Sequence, residues 1–513
     1  MSIEIEEVNS KIKTIDELVF IIDNLKKEGK EVVHCHGVFD LIHPGHIRYL
    51  ESAKKEGDIL VVTTTQDKFI DRGPGRPVFN ERLRAESLAA LRCTDYVAIN
   101  EWPTAVETIK KIRPDVYAKG GEFANLSDPT GRIQKEAEVI KAIGGRLHFT
   151  DGITFSSSKL LNMHFNVYQK ETQEFLINLS KKYSYEEIEE KIRAIKNLKV
   201  LVIGDTIIDE YHYCEPMGKS AKENLIPVKY VSEERFAGGA LATANHIANF
   251  CNFVDLVSCI GNEKEDEEFV LKNLKKNIGV RLFRHRGPTI KKRRFVENSF
   301  YGKLFEVCFI DDHPIQEELE SEILNFLKEK ISNYDLVIVS DYGHGFITQK
   351  LIDLLCNQSR FLCVNTQTNS ANTGFNLISK YPKADYVCID EPESRLATKD
   401  RFSSIEEINK KILGLGDYKR VVITGGHRGS FAYSKEEGLI KIPVFSEDIV
   451  DRIGAGDAYF SITSPCVAKG YPMELVGFIG NAVGALAVKI IGNKKSIEPE
   501  ALYKFVNTLL KWG

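Results

Sequence analysis

No apolar run in the chain reaches the roughly 18 residues that a membrane-spanning helix needs, so no segment is expected to cross a bilayer. Neither a Cys-x-x-Cys pair nor a His-Glu-x-x-His stretch occurs, which weighs against a zinc site built from His34, Cys35, His36, His43 and His46. A strong charge of one sign is also missing: 69 Lys and Arg face 73 Asp and Glu, a net charge of −4. Broad attraction to nucleic acid or to an acidic membrane is therefore not expected, and no basic, aromatic-bearing face argues otherwise. The ten cysteines are scattered without close pairing, and the first seven residues are acidic where a secretory signal would be basic and then apolar. Reduced thiols and a cytoplasmic location are the expectation.

What is present is ordinary globular composition, 43% hydrophobic and 28% charged, spread over 513 residues. At about 100 to 200 residues per domain, that length predicts two or three cores. In the first part, helical spacing over 14–29, 47–55 and 81–92 alternates with short apolar runs at 31–35, 58–65, 96–99, 116–119 and 146–149. Such alternation predicts a doubly wound α/β domain with its ligand at the carboxyl ends of the strands. Residues 163–198 are charged and helix-prone and read as a helical connector. A strongly apolar strand at 199–205 then opens a second α/β domain that runs to residue 513.

The first domain is organised around His36-Gly37-Val38-Phe39-Asp40-Leu41-Ile42-His43-Pro44-Gly45-His46. His43 to His46 falls where a strand gives way to a helix, and the free N–H groups of a helix N-terminus attract phosphate. Gly45 leaves room for a nucleotide to approach. Two imidazoles three residues apart can both donate to one phosphate and stabilise charge that grows on it during displacement. Two histidines alone would be better explained as satisfied loop residues; Gly45, the Phe39-Asp40 pair and the strand-to-helix context favour the anion site. Nearby, Arg72-Gly73-Pro74-Gly75-Arg76-Pro77 reads either as a phosphate clamp or as a solvated turn.

The second domain carries Asp451-Arg452-Ile453-Gly454-Ala455-Gly456-Asp457-Ala458, a small-residue turn that opens a helix. Its backbone N–H groups suit an anion. Asp457 directly after them would repel phosphate unless it accepts the proton of an attacking hydroxyl. The plainer alternative is a helix cap.

The first half, about residues 14–162, resembles the cytidylyltransferase-like nucleotidyltransferases. The resemblance rests on the His-x-Gly-His signature, on Lys119-Gly120-Gly121-Glu122-Phe123, and on the Ser/Thr-rich segment Thr154-Phe155-Ser156-Ser157-Ser158-Lys159. It implies catalytic His43 and His46, with nucleotide contacts at Phe39, Gly45, Lys119, Gly120, Ser156 and Ser157. It also implies a lysine on the transferred phosphate, either Lys54 or Lys55. Residues 199–513 resemble the ribokinase-like sugar kinases through Gly204-Asp205 with Asp209, Gly238-Gly239-Ala240, Asp341-Tyr342-Gly343, Thr424-Gly425-Gly426 with Gly429, and the Gly-Ala-Gly-Asp turn. That resemblance implies Asp457 as the base, with Gly454, Ala455 and Gly456 as the anion hole. Asp209, Gly238 and Gly239 would hold the sugar, Thr424, Gly426 and Gly429 the nucleotide, and Glu393 would be metal-associated.

Departures from the kinase pattern are Ala242 for asparagine, His344 for lysine, Asn365 for aspartate, Asp390 for asparagine and Ile453 for threonine. They leave open a different sugar, or a weak or inactive kinase domain serving regulation. The pairing of halves resembles the bifunctional heptose kinase and adenylyltransferase family of lipopolysaccharide synthesis, with domain order reversed. Together the resemblances imply a kinase joined to a sugar-phosphate nucleotidyltransferase that uses Mg²⁺, ATP as phosphoryl donor, and ATP or CTP as nucleotidyl donor. The partners are small: a sugar or polyol phosphate and a nucleoside triphosphate, with homodimers common in the kinase family.

Overall fold

In the computed structural model, residues 8–70, 76–121, 132–150, 168–220, 222–298, 302–446 and 449–511 are described. The chain divides into two compact units: residues 1–180 with 503–513, and residues 181–502. The expected closing segment with Ser156 and Ser157 lies outside the described residues, as do Arg72 to Gly75, Glu122 and Phe123.

The first unit is built on five parallel strands, β1 (Val32–Gly37), β2 (Ile59–Thr65), β3 (Tyr96–Asn100), β4 (Val116–Gly120) and β5 (Arg146–Thr150), in the order β3-β2-β1-β4-β5. Their continuous apolar character follows from burial on both faces: Val33, Leu60, Val62, Val97 and Val116 are inaccessible to solvent. Each such side chain contributes about 1.5–3 kcal/mol of transfer free energy. The helix Ile15–Lys27 begins at a Thr14/Glu17 capping box, in which each side chain accepts a backbone N–H of the other's residue, and packs Leu18 and Ile22 inward. Strand order reverses between β1 and β4, so a crevice opens at their carboxyl ends.

The helix Lys170–Lys182 crosses the unit boundary, and in the second unit the helix Tyr185–Ala194 precedes a nine-stranded sheet. That sheet contains β6 (Lys199–Gly204), β9 (Phe253–Ile260), β10 (Ile278–Arg284), β13 (Leu336–Asp341), β14 (Leu362–Thr366), β15 (Lys383–Asp390), β16 (Asp417–Thr424), β17 (Ser430–Ser434) and β18 (Gly438–Ile442). The order is β10-β9-β6-β13-β14-β15-β16-β17-β18, parallel from β10 to β16 and antiparallel over the last two pairings. The switch point is between β6 and β13.

The second α/β domain also carries a separate four-stranded sheet, which the expected doubly wound core does not include. This sheet has β7 (Thr206–Pro216), β8 (Val228–Gly239), β11 (Ile290–Glu297) and β12 (Lys303–Phe309) in the order β12-β11-β7-β8. Its edge strand β12 is exposed along its whole length, so residues pointing to either side of that strand meet solvent. Strands of that kind carry charge and aromatics in place of an apolar run, which hid them in the sequence. Among the described residues, no helix is long and apolar enough to cross a membrane.

Candidate active sites

At the switch point of the first unit, β1 ends at Gly37 and the helix Pro44–Lys54 begins. His43 is its N-cap, and Nδ1 of the ring accepts the N–H groups of Gly45 (3.1 Å) and His46 (3.4 Å). Here the sequence expectation is corrected: these two amides are taken by an imidazole and are not available to an anion. Acceptance at Nδ1 fixes the neutral tautomer that carries its proton on Nε2, and burial holds the His43 pKa below the ordinary histidine value. The other ring nitrogen, Nε2, is thus an N–H donor.

The His46 ring stacks on His43 with centroids 3.9 Å apart and meets Phe39 edge-on at 5.3 Å. Phe39 is buried in the core with φ of 49°, so it supports His46 from behind and is not exposed as a nucleotide contact. Asp40, also buried, accepts the N–H groups of Val78 (2.7 Å) and Phe79 (3.2 Å) at Oδ1 and so anchors the turn before the helix Glu81–Ala89.

Lys119, near the end of β4, forms a buried ion pair with Glu136 at 3.1 Å, and Tyr117 donates to Glu136 at 2.9 Å. Gly120 ends the same strand. Lys54 requires a second correction. Its ammonium pairs with Asp95, which precedes β3, and donates to the Asp58 carbonyl ahead of β2. Both partners lie at the amino ends of the strands. Eight residues of helix carry Lys54 about 12 Å along the axis from His46, away from the crevice. Lys55 follows the same helix and is exposed.

Sequence reasoning missed Arg84. It is wholly buried, and its guanidinium donates to the carbonyls of Phe79 (3.0 Å), Val38 (2.5 Å) and Thr65 (2.7 Å), to the Thr64 hydroxyl, and to Asp67 (2.6 Å). Five acceptors from four segments converge on one side chain and hold the carboxyl ends of β1 and β2 together, just before Phe39.

In the second unit, a cleft of about 300 Å³ opens over the carboxyl ends of the central strands, and Asp209, Gly239, Thr424, Gly454, Gly456 and Asp457 line it, as do Asp390 and Glu393. Asp457 stands in the first turn of the helix Ala455–Ala468, behind the N-cap Gly454 with φ of 82°. A side chain at Gly454 would also fall 2.1 Å from Asn493 Oδ1, so glycine is required there. One carboxylate oxygen of Asp457, Oδ1, accepts from Tyr342 Oη (2.7 Å) and from Gln367 Nε2 (2.6 Å). Burial pushes the Asp457 pKa up to about 6, against the pull of those two donors.

Asp209 is ion-paired with Arg294 of β11, and a Cβ on Gly238 would sit 2.2 Å from Asp209 Oδ2. Gly238 therefore makes room for the Asp209 carboxylate, whereas Gly239 lines the cleft itself. Strand alternation splits the basic run of β11 between its faces. Lys291 and Arg293 pair with Asp266 (2.9 Å) and Glu210 (2.7 Å), whereas Lys292 and Arg294 line the cleft. Gly426 and Gly429, with φ of 57° and 86°, shape the turn from β16 to β17.

The departures noted in the sequence have definite places. Asn365 lines the cleft and donates to the Cys388 carbonyl at 2.7 Å, and His344 pairs with Asp312 at 2.7 Å. Ala242 is buried in the helix Ala240–Ala248, and Ile453 lines the cleft. Asp390 and Glu393 form a capping box: Asp390 accepts the N–H of Glu393 at 2.7 Å, and Glu393 accepts those of Asp390 at 2.8 Å and Thr368 at 2.9 Å.

Among the described residues, no cluster of three or more His, Cys, Asp or Glu side chains is arranged to hold a metal ion alone. Magnesium needs fewer, since one or two carboxylates suffice when phosphates and water complete its shell. Burial and the neighbouring Asp390 push the Glu393 pKa up to about 8. Two adjacent buried carboxyls of this kind fit a divalent cation in the cleft.

In the second unit Asp457 stands at a helix N-terminus beside a mainly parallel sheet, and residues 197–500 match the pfkB family carbohydrate kinase description. The chain belongs to that family. Residues 34–163 match the cytidylyltransferase-like description, so a nucleotidyltransferase-like domain leads and a carbohydrate kinase domain follows. Over 157 residues the chain is 39% identical to the bifunctional protein HldE of Geobacter metallireducens, 30% of this chain and 31% of that one. Over 149 residues it is 40% identical to the bifunctional protein HldE of Pelobacter propionicus, 28% of this chain and 29% of that one. The chain thus spans about a third or less of the length of these relatives. Among solved structures, phosphofructokinase-2 from Escherichia coli in complex with potassium matches with a TM-score of 0.50 at 14% identity, covering 60% of this chain and 99% of that one, a likeness of fold alone.

Proposed function

We propose that the chain is a bifunctional enzyme. The second domain would phosphorylate a sugar from ATP, and the first would join a sugar phosphate to a nucleotide, giving a nucleoside-diphosphate-activated sugar of the heptose type for surface polysaccharide. The observation that carries the kinase half is Asp457, a buried carboxylate directly behind the Gly454–Gly456 turn in a cleft that also holds Asp209 and two cations. In the forward step Asp457 takes the proton of a sugar hydroxyl as that oxygen bonds to the γ-phosphorus, and ADP departs with the electrons of the broken bond. The backbone N–H groups of the turn hold the transferred group. Lys292 and Arg294 favour a sugar that already bears a phosphate. When bound, Mg²⁺ would neutralise the β- and γ-phosphates, with Glu393 and Asp390 the residues to hold it.

In the first domain a sugar-phosphate oxygen would attack the α-phosphorus of ATP or CTP and displace pyrophosphate. His43, a neutral donor at Nε2, and His46 beside it would stabilise the charge on the transferring phosphate; Lys119 would add positive charge. Ser156 and Ser157 remain the proposed closing contacts. The cytoplasm suits these substrates and ten unbridged thiols. The exposed aromatics of the small sheet, Phe305 at 51% and Tyr230 at 56%, favour a homodimer.

The test is to incubate the full chain with ATP, CTP, Mg²⁺ and a panel of heptose, hexose and polyol phosphates, and to identify the products by mass. His46→Ala should abolish pyrophosphate release and leave ADP production intact. Asp457→Asn should slow ADP production by about 10²- to 10⁴-fold and leave pyrophosphate release intact. If each variant kept both activities, the assignment of the two sites would be wrong.

A further inference from the structure

The two donors to Asp457 come from different places in the fold. Tyr342 follows β13, and Gln367 follows β14 at the start of an asparagine-rich loop. Side-chain amides of that loop hold both in place. Asn369 and Asn372 donate to the Tyr342 carbonyl at 3.1 and 2.7 Å, and Asn376 donates to the carbonyls of Asp341 (2.9 Å) and Gln367 (3.0 Å). From the other side, the Tyr342 N–H donates to Asp205 Oδ2 at 2.9 Å. Tyr342 and Gln367 therefore reach Asp457 as fixed donors, not as adaptable surface groups.

Both donate to the same oxygen, Oδ1. A carboxylate held in this way cannot rotate without losing two hydrogen bonds, which leaves Oδ2 as the oxygen for a substrate. Burial and the nearby Asp209 carboxylate favour the protonated, inert form of the base, whereas the Lys292 ammonium and hydrogen bonds donated to the carboxylate favour its ionised form. Tyr342 itself stays a donor, because burial and the nearby Asp457 push its pKa far up.

Resting on the kinase reading above, we infer that Tyr342 and Gln367 are positioning residues for phosphoryl transfer: by binding Asp457 Oδ1 they aim Oδ2 at the sugar hydroxyl and keep the carboxylate ionised near neutral pH. The proton then passes from the hydroxyl to Oδ2 while the hydroxyl oxygen bonds to the γ-phosphorus and ADP leaves. Both act through Asp457 Oδ1.

The experiment uses the full chain and the variants Tyr342→Phe and Gln367→Met, each of which removes one donor at near-constant volume. The pH profile of kcat/KM for ATP-dependent phosphorylation is recorded with whichever hexose or heptose phosphate gives the parent its fastest ADP release. Each variant should move the acid limb upward by roughly one pH unit, with activity recovering toward the parent's at high pH. A loss spread evenly over pH in both variants would mean a merely structural role and overturn the inference. A second measurement needs no turnover: the carboxyl ¹³C resonance of Asp457, assigned by its absence in Asp457→Asn, is titrated in each protein. An unmoved midpoint in both variants sinks the inference whatever the kinase does. A midpoint moved in the variants, when the parent phosphorylates none of the sugars, upholds the tuning of Asp457 and removes the kinase reading instead.

Discussion

Replacing Arg84 with methionine should strike the first unit without touching the second. A wholly buried arginine is tolerated because every N–H finds an acceptor. Methionine fills a similar volume and donates nothing. The carbonyls of Thr65 and Phe79 then lose a donor, and Val38 loses the stronger of two, since the Thr64 hydroxyl also reaches it at 2.9 Å. A buried acceptor left unsatisfied costs about 1–3 kcal/mol. The Asp67 contact adds less, because that carboxylate is 36% exposed and screened. With allowance for non-additivity, the loss is about 3–5 kcal/mol. For a unit of this size it corresponds to a fall in Tm of roughly 6–20 °C. Scanning calorimetry of the full chain should show the transition of residues 1–180 lowered and that of 181–502 in place, with pyrophosphate release lost while ADP release persists. Arg84→Lys should recover less than half of the loss, since a single ammonium cannot span five acceptors. A methionine variant that melts with the parent and still releases pyrophosphate would refute the idea that Arg84 holds the nucleotidyltransferase crevice together.

Two further outcomes test the second unit. In Gly238→Ala the new methyl would sit 2.2 Å from Asp209 Oδ2 and turn that carboxylate off Arg294; KM for the sugar should rise by about tenfold or more while KM for ATP holds, and initial rates that show no such split would count against Asp209 as a sugar ligand. Asp205 is buried, and its Oδ1 has no partner among the described residues; burial pushes its pKa up to about 6, above its unfolded value near 3.9. Stability tied to this group is thus fully present below about pH 4 and falls as pH rises through 6, by on the order of 3 kcal/mol. Asp205→Asn cannot ionise, so its stability relative to the parent should improve by that amount between pH 4 and 7.5 in urea unfolding, and an equal difference at both pH values would rule the account out.

Much of this was readable in the amino-acid order. The strands of the first unit announce themselves as apolar runs because both faces are covered, and the observed bounds differ from the expected ones by only one or two residues. That His43, His46 and Asp457 stand at the starts of helices was legible because small-residue turns ahead of helices leave a local signature. The small sheet was not, because Lys291, Lys292, Arg293 and Arg294 look like a solvated basic run until Asp266, Glu210 and Asp209 are brought beside them. Arg84 and Gln367 carried no signal at all: an arginine on a helix and a glutamine after a strand are usually surface residues, and only the fold supplies their acceptors. Lys54 was misjudged although the information was present, for two turns of helix were enough to carry it to the wrong end of the sheet.

The cap on the helix Pro44–Lys54 ties chemistry to architecture. Acidification that protonates His43 at Nδ1 would turn that nitrogen from acceptor to donor, so the first turn of the helix would be released in the same event that alters the ring's charge. Loss of nucleotidyl transfer in acid should therefore come with fraying of the backbone at Gly45 and His46, visible as faster amide exchange there, and not as a simple titration on an unmoved scaffold.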